Sequence, residues 1–272
     1  MVVPKAQAIM RSIGEREAAG GIGLVAPKPL SKVTHTSVLG TIRLRYEKDA
    51  GTLTYVQRGG NQSAVDRHGI SLDTYIHAIY GLVLQTPAKN VLMIGCGGGT
   101  LGKMLSAIGK RVTIVDIDSA SFRLAKHHFG LPANITCRVG DGLAYMQKTR
   151  RRFDTVVIDA FVGETIPPHL AGGAMAAAAR RCLRRGGSLF VNVCLDNRAD
   201  RAADIIGHHL KENGWSVRLL DQAGSARNAV VAAGDVRKLR PPVLIHPPNV
   251  EVPRVKIELR HMRFRRLRDK GA

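Results

Sequence analysis

A short apolar segment that runs into a glycine-rich turn restricts the possible folds of this chain more than any other feature. Residues 89–100 read Lys-Asn-Val-Leu-Met-Ile-Gly-Cys-Gly-Gly-Gly-Thr. The apolar part predicts a buried strand, while Gly95, Gly97 and Gly99 allow a tight turn and the close approach of a ligand that a Cβ would block. The order predicts a strand, a turn and a helix of an α/β fold, with a ligand at the turn.

A carboxylate follows at the end of the next predicted strand. Residues 111–118 read Arg-Val-Thr-Ile-Val-Asp-Ile-Asp, which places Asp116 about twenty residues after the glycine turn. At that place a carboxylate can accept hydrogen bonds from both hydroxyls of a ribose. The two segments together predict a nucleoside pocket.

The glycine spacing narrows the choice of nucleoside. Thr100 stands where a dinucleotide fingerprint carries a further glycine, which disfavours NAD and FAD. No Lys-Ser or Lys-Thr pair follows the glycines, which excludes a Walker phosphate loop. The shorter turn is typical of ligands of the S-adenosylmethionine type, which carry no phosphate. A tight turn without any ligand remains the alternative at this point.

Further strands complete the predicted sheet. Residues 135–139 lead into Gly140-Asp141-Gly142, residues 153–158 lead into Asp159, and residues 188–193 form a fifth parallel strand. The segments 215–220 and 228–233 are too close for an intervening helix, so they predict an antiparallel hairpin at the sheet edge. The fold class is therefore α/β, a Rossmann-like seven-stranded class I methyltransferase sheet. The carboxyl ends of its strands border the ligand crevice.

The pattern also predicts how the chain is divided. Residues 1–32 form a mobile N-terminal arm, and residues 33–70 form a small antiparallel β domain built on a hairpin. Residues 71–236 form the nucleoside-binding catalytic domain, which begins with a helix that carries Tyr75. Residues 237–272 form an irregular basic C-terminal tail, because proline pairs and cations dominate there.

Charge is the main compositional signal. The chain has 41 Lys and Arg against 21 Asp and Glu, a formal charge of +20, so nucleic acid is kept as a candidate partner. With 4% aromatic residues, little side-chain material is present for base stacking. Apolar runs are too short to form a membrane-spanning helix, so we expect no membrane partner. The first residues lack the apolar core of a secretory signal, so we expect a cytoplasmic protein. Four scattered cysteines predict reduced thiols and no metal site.

The ordered motifs resemble the spermidine synthase-like family of polyamine aminopropyltransferases. The resemblance covers about residues 41–233 and includes the N-terminal hairpin, Gln62, the Tyr75 helix, the glycine turn, Asp116, and the segments Gly140-Asp141-Gly142 and Asp159-Ala160-Phe161. It implies an alkyl transferase that uses S-adenosylmethionine or its decarboxylated form as co-substrate, with a small amine as acceptor. It also implies a homodimer or homotetramer.

The resemblance assigns roles residue by residue. Gln62 would hold the nucleoside from the hairpin side, Asp116 would take the ribose hydroxyls, and Asp141 with Gly142 would face the adenine. Pro167 would line the same pocket. Asp159 would be the proton acceptor, and Tyr75 would lie near the donor's alkyl chain. A helix cap is the alternative reading of Asp159.

Two departures from the family pattern leave the reaction open. Aminopropyltransferases carry acids where this chain has Gly98 and Val162, and both acids bind the polyamine cation in the family. Their absence favours methyl transfer as the second reading, including methyl transfer to nucleic acid. Glu164 is a candidate substitute. A third reading is a non-catalytic nucleoside-binding protein.

Overall fold

The computed structural model describes residues 33–224 and 226–269. The predicted N-terminal arm, residues 1–32, lies outside these ranges. The strands are β1 (Val33–His35), β2 (Ile42–Glu47), β3 (Thr52–Gln57), β4 (Gly60–Val65), β5 (Asn90–Ile94), β6 (Arg111–Asp116), β7 (Thr136–Val139), β8 (Phe153–Ile158), β9 (Leu183–Leu195), β10 (Val217–Asp221), β11 (Arg227–Gly234) and β12 (Arg263–Arg265). The helices are α1 (Thr74–Leu84), α2 (Thr100–Ala107), α3 (Ser119–His128), α4 (Gly142–Lys148), α5 (Gly173–Cys182), α6 (Ala202–Glu212) and α7 (Val252–His261), and a 3-10 turn spans Pro168–Leu170.

The small sheet is antiparallel, with strand order β1-β2-β3-β4. Alternation along β2 buries Ile42 and Leu44 and exposes Arg43 and Arg45. The buried side chains pack against α3 and Phe129. The predicted hairpin corresponds to β2 and β3, and β1 and β4 extend it into a sheet whose apolar face lies on the larger domain.

The large sheet has the order β12-β10-β11-β9-β8-β5-β6-β7. The pairs among β5 to β9 are parallel, and β10 with β11 form the predicted antiparallel hairpin. These seven strands confirm the class I methyltransferase arrangement expected from the sequence, and β12 adds an eighth strand at the edge by pairing with β10.

The C-terminal region corrects one expectation, because it was predicted to be irregular. It contains α7, which buries Val255 and Leu259, and β12. Burial of one leucine side chain stabilises a fold by about 2 kcal/mol. Arg265 contributes as well, since its guanidinium contacts Asp204 at 2.8 Å and Asp221 at 3.0 Å. The proline pairs before this helix made the segment look irregular, although burial of its apolar side chains and the ion pair between Arg254 and Glu258 stabilise it.

Apolar layers cover both faces of the large sheet. Along β8, Val157 points into the layer that contains α1 and α2, whereas Val156 and Ile158 point into the layer that contains α5 and α6. Strands buried on both faces need continuous apolar sequence, as the chain has here. Polar side chains are therefore concentrated at the strand ends, where the crevice lies.

Two further features concern the described residues. None of the helices among residues 33–224 and 226–269 is both long and apolar enough to cross a membrane. The cysteines are free, as predicted, with Cys96 and Cys182 buried and Cys137 and Cys194 half-buried.

Candidate functional site

A cleft lies at the carboxyl ends of β5, β6 and β8, and its empty volume is about 780 Å³. The floor is the glycine turn and the residues that follow each strand, while Tyr55, Gln57 and Gln62 of the small sheet form the opposite wall. The cleft brings together most of the residues predicted from the sequence. Those that line it are Gln62, Gly95, Gly97, Asp116, Asp141, Gly142, Asp159 and Pro167.

Close backbone contacts explain why the turn carries glycine. Gly95 has φ +98°, and a Cβ at this position would lie 2.0 Å from the carbonyl oxygen of Asp159. Gly97 has φ +50°, and a Cβ there would lie 2.8 Å from Ser63 Oγ. Gly99 does not line the cleft; it precedes α2 at φ +71°, and a Cβ would lie 2.7 Å from Leu131. Gly95 and Gly97 thus let the turn pack closely against the loop after β8 and against β4, whereas Gly99 shapes the entry to the helix.

Asp116 is held at the end of β6 by two backbone amides. Its Oδ2 accepts from the Cys96 amide at 2.7 Å, and its Oδ1 accepts from the Asp118 amide at 2.7 Å. Burial raises the pKa of this carboxyl to about 6, although both amides oppose the rise. Each carboxylate oxygen can accept a second hydrogen bond, so the side chain is oriented and still able to receive two hydroxyl groups.

Asp141 has two functions in the local structure. Its Oδ1 accepts from the amide of Ala144 at 2.7 Å and so caps α4. Its Oδ2 lies 2.8 Å from Nε2 of His169, which also lines the cleft. The sequence analysis did not select His169, because a lone histidine in a loop gives no distinctive signal. The pair places one acceptor and one imidazole at the predicted adenine end.

The small sheet is attached to the crevice by polar contacts from β4. Gln62 Nε2 donates to the carbonyl of Gly163 at 3.0 Å, and the amide of Gly98 donates to Ser63 Oγ at 2.9 Å. These bonds join the small domain to the loop after β8 and to the glycine turn. The cleft is therefore built from both domains.

A second cavity, with an empty volume of about 1060 Å³, adjoins the first. Gln62, Gly97 and Asp159 line both, so the two spaces meet at these residues. Tyr75 lines the second cavity only. The acids that face this second space are Asp73, Asp159, Glu164 and Asp196.

Asp159 lies at the junction of the two cavities. Asn192, 1% exposed in β9, donates from Nδ2 to Asp159 Oδ1 at 2.8 Å. Burial raises the pKa of Asp159 to about 6; Asn192 opposes the rise, the charge of Asp73 adds to it, and a hydrogen bond with Tyr75 opposes it. Tyr75, predicted from the family resemblance for a different role, thus lies beside Asp159. This arrangement suits a group that holds or accepts a proton near neutral pH.

Asp73 is the acid that the sequence analysis missed. It stands directly before α1, where an aspartate normally reads as a helix cap, but its side chain does not cap that helix. Its Oδ2 accepts instead from the Ala64 amide at 3.0 Å and from Ser71 Oγ at 3.4 Å. Burial raises its pKa to about 6, opposed by these two donors. The Asp73 carboxylate lines the second cavity, a position that only the tertiary structure reveals.

Arg227 is the cation that lines the second cavity, and its charge is already compensated. Its Nε lies 2.9 Å from Asp221 Oδ1, and its Nη1 donates to the carbonyls of Asn197 and Gly224 at 2.9 and 2.7 Å. Both side chains of the ion pair are almost fully buried. The four acids therefore dominate the charge of this space.

The two positions where the family carries acids are occupied differently here. A Cβ on Gly98 would lie 2.6 Å from the ring of Phe129, so an aspartate cannot be placed there without moving that ring. Val162 lines the first cleft rather than the second. The described residues contain no group of three or more His, Cys, Asp or Glu side chains arranged to hold a metal ion.

Comparison with known proteins shows related sequences and folds. Residues 91–187 match the family model of a methyltransferase domain. The chain is 29% identical over 121 residues to a probable polyamine aminopropyl transferase of Bifidobacterium longum, which covers 44% of this chain and 27% of that protein. It is also 29% identical over 126 residues to an N-terminal histidine N-methyltransferase of Emericella nidulans. That alignment covers 44% of this chain and 23% of the methyltransferase. The matches thus span about a quarter of these relatives.

A solved structure resembles nearly the whole chain. A probable spermidine synthase from Corynebacterium glutamicum superposes with a TM-score of 0.72 over 88% of this chain and 92% of that chain, at 16% identity. The chain is therefore a protein of the class I methyltransferase fold. Within that class, the sequence similarity to the aminopropyl transferase supports the spermidine synthase-like family predicted from the motifs, and the predicted fold is confirmed.

Proposed function

We propose that the chain binds S-adenosylmethionine or its decarboxylated form in the first cleft and transfers an alkyl group, aminopropyl by preference, to an amine in the second cavity. One observation carries the proposal: a cleft bordered by the glycine turn and Asp116 joins an acid-lined cavity at Asp159. The relative named as a polyamine aminopropyl transferase supports the choice of reaction.

The residues of the first cleft fit the nucleoside part of such a donor. A Cβ at Gly97 would reduce the space between the turn and the small sheet, and a Cβ at Gly95 would displace the main chain after β8 that borders the cleft. Asp116 would receive the ribose hydroxyls, Asp141 and Gly142 would border the adenine, and Gln62 would close the site from the small domain. A sulfonium donor supplies an activated carbon and a neutral thioether leaving group, so the protein needs mainly to align the reactants.

The second cavity supplies charge and a proton acceptor. Asp73, Asp159, Glu164 and Asp196 would hold the ammonium groups of the acceptor, with Asp73 in place of the acids missing at positions 98 and 162. The attacking nitrogen must lose one proton as the nitrogen–carbon bond forms and the carbon–sulfur bond breaks. Asp159 accepts that proton, while Asn192 and Tyr75 fix the orientation of its carboxylate.

Methyl transfer is the second candidate, because the acids at 98 and 162 are absent and a methyltransferase is among the relatives. Two measurements distinguish aminopropyl transfer from methyl transfer and from a non-catalytic protein. They are calorimetry with both donors and assays of turnover with putrescine, spermidine or a duplex RNA as acceptor. Tighter binding of the decarboxylated donor and alkylation of a diamine support aminopropyl transfer. Preference for the carboxylated donor with methylated product would replace it, and nucleoside binding without any turnover would leave a non-catalytic protein.

A further inference from the structure

The amino ends of the parallel strands carry cations that the proposed reaction does not use. Cations precede or begin β5, β6, β8 and β9, and others follow β11, which ends at the same edge because it is antiparallel to β9. These side chains are exposed or half-exposed. We name this set the basic rim, and it consists of Lys89, Lys110–Arg111, Arg150–Arg152, Arg184–Arg185 and Arg237–Lys238.

Backbone and side-chain contacts show that the rim is continuous. Asp154 Oδ2 accepts from the amide of Lys89 at 2.9 Å, and Asp154 Oδ1 lies 2.8 Å from Arg184. The amide of Arg111 donates to the carbonyl of Lys89 at 2.8 Å. The rim follows the neighbouring strands β11, β9, β8, β5 and β6, a width of about 20 Å at roughly 4.8 Å per strand.

The charge of the rim is strongly one-sided. The acids next to it are Asp154, which Arg184 neutralises, and Asp235. At the opposite edge of the same sheet lie the acids of the two cavities. The molecule therefore presents a cationic edge and an acidic edge, and a polyanion is attracted to the first and repelled by the second.

The composition of the rim favours phosphodiesters among polyanions. Most of its cations are arginines, whose planar guanidinium groups bind phosphate in a bidentate manner. Phe153 lies beside the rim but is 1% exposed, beneath the guanidinium of Arg151, so it offers no face for base stacking. The large exposed apolar side chains of the described residues do not belong to the rim, so it has nothing to insert into a bilayer.

We propose that the basic rim is a docking surface for the phosphate backbone of a nucleic-acid duplex, bound without sequence readout. It lies at the edge of the sheet opposite both cavities, so duplex and nucleoside bind at the same time. The proposal uses none of the residues assigned to the reaction.

The experiment measures fluorescence anisotropy of a labelled duplex RNA and a labelled duplex DNA with the full chain at several salt concentrations. The test variant is Arg150→Gln/Arg152→Gln/Arg185→Gln. The control variant is Arg43→Gln/Arg45→Gln/Arg123→Gln, which loses the same charge from exposed positions on β2 and α3. Binding of methylthioadenosine serves as the folding control, because neither variant touches the cleft.

We expect the rim variant to bind duplex at least about 10-fold more weakly at 100 mM salt and to lower the slope of log K against log salt by about 2 to 3, since each phosphate contact contributes about 0.9. The control variant should change affinity by less than about 3-fold. Equal losses in the two variants would overturn the proposal, as would no duplex binding at 50 mM salt. Stronger capture by anionic vesicles or by polyglutamate than by duplex would also overturn it.

Discussion

Two aspartates on one strand experience opposite environments. Asp154 lies near the amino end of β8, and Asp159 follows its carboxyl end. Burial alone would raise both pKa values, but at Asp154 the Arg184 guanidinium and the amides of Asn90 and Lys89 outweigh it and lower the pKa. At Asp159 burial prevails, and the pKa rises to about 6.

The difference separates structural acids from candidate chemical ones. Asp154 is satisfied by its neighbours and joins the starts of three strands. Asp159 faces a cavity in which other acids outnumber the available cations, so a cationic ligand would complete its environment. The direction of a strand thus decides which of two similar residues can take part in a reaction, because ligands bind at the carboxyl ends of parallel strands.

The largest effect is expected from a glycine at the carboxyl end of the sheet. Gly95→Ala should weaken methylthioadenosine binding at least about 100-fold, because its Cβ would lie 2.0 Å from a main-chain oxygen. Gly109→Ala is the matched control, because Gly109 has φ +78° but an added Cβ would have no neighbour within 4 Å. This variant should lower the free energy of unfolding by about 1–2 kcal/mol and leave methylthioadenosine binding unchanged. Calorimetry and thermal unfolding measure both.

Should Gly95→Ala fail to fold, Gly97→Ala provides a second variant. Its Cβ would meet the Ser63 hydroxyl at 2.8 Å and the carbonyl oxygen of Gln62 at 3.0 Å, a smaller conflict than at Gly95. A loss of about 10-fold in nucleoside affinity is expected. Wild-type affinity in this folded variant would mean that the nucleoside does not lie against the turn.

The two aspartates of β8 give the next largest effect. Asp159→Asn should lower kcat about 10²- to 10⁴-fold, because the proposed proton acceptor is lost while Asn192 can still donate to the side-chain oxygen. Asp154→Asn should leave turnover unchanged and lower stability by about 1 kcal/mol, since its partner Arg184 is half-exposed. Comparable losses of kcat in both variants would show that Asp154 and Asp159 do not differ in their effect on the reaction.

Asp73→Asn tests the acid that replaces the missing family positions. The KM for a diamine should rise about 10-fold, the effect of one charge-assisted contact, with a smaller change in kcat. Binding of methylthioadenosine should be unaffected, because Asp73 lines the second cavity only. Asp49→Asn is the control for loss of one negative charge, because Asp49 is exposed and lines neither cavity. An unchanged KM in Asp73→Asn would show that this carboxylate does not contact the acceptor.

The smallest effect is a difference in pH dependence. The folded pKa of Asp159, about 6, exceeds the value of about 3.9 expected in the unfolded chain. Proton uptake therefore stabilises the fold below about pH 4, and this contribution is lost as pH rises through 6. Asp159→Asn should thus be more stable than wild type at pH 8, and the difference in free energy of unfolding should shrink toward pH 4.

The contribution of Asp154 to stability should change with pH in the opposite direction. Its folded pKa is lowered, so its stabilising contribution is present above about pH 4 and is lost as pH falls through the folded value. Urea unfolding of both Asn variants from about pH 2 to 8 measures the two differences in free energy of unfolding. Parallel pH curves for the two variants would contradict the assigned environments.

The sequence predicted much of the candidate site because its signals are local. The glycine turn, Asp116, Asp141 and Asp159 each follow a recognisable apolar strand, and the fold brings those strand ends together. Gln62 and Tyr75 could be named only through the family resemblance, since β4 is polar and one tyrosine in a helix has no special pattern. The roles of these residues stay predictions.

Other features could not be read from local patterns. Asp73 looks like a helix cap, and Asn192 is one polar residue in a buried strand until its bond to Asp159 is seen. Prolines and cations masked the helix α7 and strand β12 in the sequence. Thr74 of α1 donates to Glu258 of α7, and Asp204 and Asp221 pair with Arg265 of β12. Long-range partners of this kind leave no periodicity in the sequence.

The sequence by itself determined the order of strands and turns, and with it the class I methyltransferase fold and the cleft beside the glycine turn, because strand burial and glycine turns are encoded by neighbouring residues. Only the tertiary structure decided that the cleft opens into a second, acidic cavity and that the cations gather at the opposite edge. Both depend on which strand ends meet, and strand direction in a parallel sheet sends carboxylates that follow strands and cations that precede them to opposite sides.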